Sequence, residues 1–213
     1  MKEANAPEPP RFKRESHVFK SPKLKRAVHE AVEFFEKTPL VELPPPPFSG
    51  TGVYALYYYG DYELYRSAAE ATRQGRQKPI YVGKAVPAGW RAARRATGQS
   101  AGVRGRLLEH SRSIRQGEAL DPADFRCRFT ILEDLEADLL VPLESELIRR
   151  YEPVWNSVVD GFGNHDPGTG RYEQAPSEWD LLHPGRPWVD RLKGRPHEIE
   201  AVRAKVLAHL GTK

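Results

Sequence analysis

Gly52-Val53-Tyr54-Ala55-Leu56-Tyr57-Tyr58-Tyr59, followed after a polar stretch by Pro79-Ile80-Tyr81-Val82-Gly83, decides the fold class of this 213-residue chain. Both runs are rich in β-branched and aromatic side chains and short enough to be strands. Gly60-Asp61 supplies a turn, and Tyr62 to Tyr65 reads as a further short strand before a small helix over Ala68 to Gln74. Downstream, Phe125, Cys127, Phe129 and Ile131 alternate with Arg126, Arg128 and Thr130, the pattern of a half-exposed strand. Helical spacing runs from about Val103 to Gln116, from Ala137 to Tyr151, and from His197 to Leu210. The chain is therefore α/β in the mixed, α+β sense.

Outward from this centre, residues 1–20 are polar, proline-bearing and without periodicity, which predicts a loosely held arm. Ser21-Pro22 is an N-cap followed by proline at the first helical position, and Leu24, Ala27, Val28, Ala31, Val32 and Phe35 make one amphipathic helix. Pro44 to Pro47 form a stiff linker, so residues 1–47 are expected to be an arm, 48–160 the central domain and 161–213 an extension. Hydrophobic residues are 39% of the chain and charged ones 29%, which allows a core beneath a heavily ionised surface. No apolar run of about 18 residues exists to span a membrane. The N-terminus lacks a signal-like apolar stretch, which predicts a cytoplasmic protein. A single cysteine, Cys127, excludes an internal disulfide and a multi-cysteine zinc site.

The formal charge of +4 is unevenly spread. Between Lys84 and Gln116 eight basic residues face one acid, Glu109, giving +7 in a chain whose remainder is slightly acidic. Such a block is either a solvated helix face or a surface for a polyanion.

Polar groups on apolar helix faces narrow the choice. At about 100° per residue, Glu144 projects into the stripe made by Leu140, Leu143, Leu147, Ile148 and Tyr151. A carboxylate there must be paired, protonated or bound to a cation. His110 projects into the stripe of Val103, Leu107 and Ile114, with Arg106 one turn away at its edge. It is either a satisfied core histidine or a proton carrier. Tyr54 and Tyr81 stand in apolar strands near Gly52 and Gly83, where backbone can approach a ligand. A tyrosine acts as a base only beside a cation or base, and Lys84, His110 and Arg106 are the candidates.

Gly52-Val53-Tyr54, Tyr81-Val82-Gly83-Lys84, Arg106 with His110, Glu144-Ser145-Glu146-Leu147-Ile148 and Tyr151-Glu152-Pro153-Val154-Trp155-Asn156 together resemble the GIY-YIG nuclease superfamily. Val replaces Ile in both triplets. The stretches Tyr81 to Trp90 and Val158-Val159-Asp160-Gly161-Phe162-Gly163-Asn164-His165 are similar to the type II restriction endonucleases that cut 5′-CCGCGG-3′. The resemblance implies a small central antiparallel sheet flanked by helices, and hydrolysis of double-stranded DNA with one divalent cation, Mg²⁺ or Mn²⁺ in its place. It implies that Glu144 is the metal ligand, that Arg106 contacts the scissile phosphate and that Tyr54 is the base or positions the water. Tyr81 and His110 then assist proton transfer, Lys84 lowers the charge cost at the attacking oxygen, and Asn156 braces the site. The two motif tyrosines are 27 positions apart, so an insertion within 60–78 is expected. A palindromic target predicts a homodimer. Arg91, Arg94, Arg95 and Arg104 suit DNA contact, either to guanine edges or to the backbone alone. Two readings compete with the restriction enzyme: a repair or structure-selective nuclease without base specificity, and a DNA-binding protein that has lost catalysis.

Overall fold

The computed structural model describes residues 11–86 and 102–211. Four strands, β1 (Val41–Glu42), β2 (Gly52–Tyr58), β3 (Tyr81–Ala85) and β4 (Phe125–Ile131), form one antiparallel sheet in the order β1-β4-β2-β3. Helices α1 (Pro22–Lys37), α2 (Arg66–Arg73), α3 (Gly102–Gln116), α4 (Leu140–Tyr151), α5 (Val154–Ser157), α6 (Glu178–Leu182) and α7 (Ile199–Gly211) flank it.

All seven residues of β2 are buried, because helices cover both faces of the sheet. Tyr54, Leu56 and Tyr58 point toward Val103, Leu107 and Ile114 of α3 and toward Trp155 and Trp179. Val53, Ala55 and Tyr57 point the other way, toward Val32 and Phe35 of α1 and Leu140, Leu143 and Leu147 of α4. The period-2 alternation of a strand thus feeds two separate apolar clusters, one per face. Beyond the proline run, α1 is part of the second cluster, and its start is capped by Ser21, whose Oγ accepts from the Leu24 amide at 3.1 Å.

Two local expectations are corrected. β4 is not half-exposed: Arg128 and Thr130 are buried along with Phe125 and Cys127. Arg128 lies 5.5 Å from the centre of the Tyr57 ring and donates to Gln77 Oε1 at 2.7 Å, which offsets part of the cost of its burial. The stretch Tyr62 to Tyr65 is not a strand but leads through a 3₁₀ turn, Glu63–Tyr65, into α2. Its i, i+3 tyrosines bring their rings to 5.5 Å, a helical relationship that a pleat cannot give. The Tyr65 hydroxyl accepts from Trp155 Nε1 at 3.0 Å and meets His183 Nε2 at 2.8 Å, so the segment between the two motif strands is anchored in the core.

His183 makes this core sensitive to acid. It is fully buried, and burial pushes its pKa from 6.5 down to about 4. Above pH 6.5 the imidazole is neutral in both folded and unfolded chains. As the pH falls from 6.5 toward 4, the unfolded chain takes up a proton that the folded chain refuses, so stability is lost, by on the order of 3 kcal/mol. Urea unfolding across this range is expected to show that slope, and His183→Gln to lower it by about one proton.

Candidate active site

β3 is an edge strand, and its alternation puts chemically different side chains on its two faces. Tyr81 and Gly83 lie toward α3, and Val82 and Lys84 toward α4. On the α3 side, Tyr54 Oη and His110 Nε2 are hydrogen-bonded at 2.8 Å, both residues being buried. The Tyr81 ring lies 6.4 Å from that of Tyr54 and 5.1 Å from that of His110. Gly83 is the strand partner of Tyr54, and the Tyr54 phenol crosses over it; a Cβ on Gly83 would sit 2.7 Å from Tyr54 Oη. The glycine of the second triplet is therefore required by the tyrosine of the first.

The inward projection of His110 is met as a buried group with a partner. Burial, and after it the charge of Arg106, hold its pKa well below the usual histidine range, so the imidazole is neutral. Burial raises the pKa of Tyr54 far above the ordinary phenol value; Tyr81 and Glu144 add to the rise, and Arg106 opposes it. Burial also raises Tyr81. The cation acting on Tyr54 is thus Arg106, while Lys84 engages a different partner.

That partner is Glu144. The carboxylate that fell within the apolar stripe of α4 is ion-paired with Lys84 Nζ, and its side chain is 15% exposed. The pair reaches across from α4 to β3, and the negative charge of Glu144 contributes to the raised pKa of both Tyr54 and Tyr81 on the other side of the strand. Arg106 is half-buried; its Nη1 donates to Glu109 Oε2 at 2.6 Å and to His165 Nε2 at 2.5 Å. Asn156 closes the sheet edge: its Oδ1 accepts from the Val82 amide at 2.7 Å and its Nδ2 donates to the Val82 carbonyl at 2.8 Å. It substitutes for the next strand and holds β3 in place between the two halves of the site.

Tyr54, Tyr81, Arg106 and His110 therefore converge directly, Lys84 and Glu144 form the adjoining half, and Asn156 supports both. Arg104 is not part of this group. Its Nε donates to the Pro46 carbonyl at 3.2 Å, toward the proline run. Arg91, Arg94 and Arg95 lie outside the described residues. Sequence reasoning missed His165, Phe162 and Glu109. Glu109 carried a signal, its i, i+3 spacing from Arg106. Phe162 and His165 stand in the stretch that carries the restriction-enzyme resemblance, but a glycine-rich loop has no periodicity from which to project a role.

A family model described as the Eco29kI GIY-YIG domain matches residues 46–210. None of the curated proteins matches the chain.

Proposed function

Because the chain belongs to the Eco29kI GIY-YIG family and is a GIY-YIG endonuclease, we propose that it is a sequence-specific type II restriction endonuclease. It hydrolyses both strands of a GC-rich palindrome, with 5′-CCGCGG-3′ the leading candidate, and works as a homodimer with one divalent cation per active site. The observation that carries the reading is the buried Tyr54–His110 hydrogen bond with Arg106 and Tyr81 beside it.

The chemistry needs an activated water and neutralisation of charge at phosphorus. Tyr54 keeps its own proton, since burial raises its pKa. With His110 in the tautomer that leaves Nε2 bare, Tyr54 donates its proton there and accepts one from water as it gives its own away. Tyr81 borders the same space and helps hold the water. Arg106 exchanges Glu109 for a non-bridging phosphate oxygen while His165 keeps the guanidinium in place. Glu144, kept in place by Lys84, would hold Mg²⁺, with Mn²⁺ as a substitute. Its carboxylate fits this ion, being an oxygen donor that keeps partial access to water beside β3. Mg²⁺ commonly takes one or two carboxylates and keeps several waters. Once bound, the cation supplies charge neutralisation at the phosphate and the leaving 3′ oxygen.

Arg91, Arg94, Arg95 and Arg104 are proposed to contact DNA, which accounts for the +7 segment. Purified protein is expected to cut duplex DNA in Mg²⁺ and to stop when excess chelator is added. Cutting that continues undiminished in chelator would refute the metal assignment. Sedimentation on a duplex carrying one site is expected to give two protomers, and a single protomer would refute the dimer.

A further inference from the structure

The segment Val158 to His165 forms one wall of the site. The buried Phe162 ring stacks on His110 at 4.6 Å and 18°, and meets Tyr81 edge-on at 4.8 Å. A Cβ on Gly163 would lie 3.0 Å from Tyr81 Oη. His165 Nε2 receives Arg106 Nη1, with Glu109 Oε2 at 3.8 Å. Three side chains assigned to hydrolysis are thus touched by one irregular loop.

The loop is held by Arg186, which is only 2% exposed. Its Nε donates to Asp180 Oδ1 at 2.6 Å. Its Nη1 donates to the carbonyls of Phe162 at 3.3 Å and Asn164 at 3.1 Å, and its Nη2 to that of Gly161 at 3.1 Å. Trp179 and Trp188 cover the guanidinium at 4.7 and 4.8 Å. Asp180 in turn accepts from Ser177 Oγ at 2.6 Å, and Gly161, at φ +94°, approaches Ser177 so closely that a Cβ there would lie 2.0 Å from its Oγ. A buried charge is costly unless fully engaged, and only a guanidinium fan can reach one carboxylate and three carbonyls at once.

We propose that Arg186 is a positioning residue: by fixing Gly161 to Asn164 it sets, through Phe162 and His165, the orientation of His110 and Arg106. This rests on the hydrolytic reading given above. The test compares Arg186→Lys with His165→Ala and Phe162→Leu in the full chain. Arg186→Lys keeps the charge but not the fan, and is expected to lower kcat by roughly 10²-fold with KM for DNA little changed, the loss expected from a misplacement of about 1 Å. The ¹⁵N resonances of the His110 ring are expected to move in the same variant. His165→Ala alters an exposed side chain and is expected to lower kcat about tenfold without affecting folding.

The proposal is overturned if folded Arg186→Lys has wild-type kcat and an unmoved His110 ring, or if His165→Ala and Phe162→Leu both cut at the wild-type rate. If Arg186→Lys does not fold, the latter pair still decides. If the wild type cuts no DNA, the hydrolytic reading fails by itself, and the His110 resonances of Arg186→Lys still report whether the loop is positioned from Arg186.

Discussion

Glu144→Gln is expected to abolish cleavage while the protein still binds DNA. The substitution keeps the shape of the side chain and removes the only charge the site offers to a cation through α4. Charge stabilisation by a bound metal is worth several kcal/mol in the transition state, and at about 1.4 kcal/mol per factor of ten this predicts a loss of at least ~10³ in kcat. DNA affinity is expected to change little, because backbone binding draws on the basic residues. The change also leaves Lys84 without its carboxylate partner, half-buried at 31% side-chain exposure. Because that cation retains access to water, the cost in stability should be no more than about 1 kcal/mol. Gel-shift titration beside a single-turnover cleavage assay reads both quantities. Undiminished cutting by the variant would remove Glu144 from the mechanism.

Tyr54→Phe has the second large effect. It deletes one oxygen and keeps the ring that crosses Gly83. The proposed relay from water to His110 is broken, and the loss expected for a missing proton carrier is ~10²–10⁴ in kcat. His110 Nε2 also loses its partner in a dry environment, which costs roughly 1–3 kcal/mol of stability. The variant should therefore be folded, somewhat less stable, and almost inactive. His110→Ala should give a comparable rate loss, and the double variant little further loss, since residues that act as a unit are not additive. Additive losses would mean that the tyrosine and the histidine serve separate steps.

Much of this site could be read from the sequence because helices and strands obey simple periods. Projecting α3 placed His110 inside an apolar stripe, and it is buried with a phenol as partner. Projecting α4 did the same for Glu144, whose partner proved to be a lysine on β3, outside the reach of any helical projection. The antiparallel sheet was legible only through the family resemblance, and its register depends on contacts between distant segments. Alternation misled at β4, because it assumes one wet face and α1 covers that face. The Arg186 cage was not legible at all: its acceptors are backbone carbonyls, which leave no mark on residue identity.

The same limit applies to base recognition. A guanidinium that reads guanine and one that only meets phosphate are the same residue in a sequence. Arg104 illustrates the point, since the structure turns it toward Pro46. Specificity has to be read from the product.

The most direct measurement is to digest a sequenced plasmid with the purified protein in Mg²⁺ and to map the ends of every fragment. The account predicts discrete fragments whose ends all fall within one palindromic sequence, with both strands cut at symmetry-related positions and no fragments from Glu144→Gln. A smear of unrelated ends, or cutting confined to branched DNA, would contradict it.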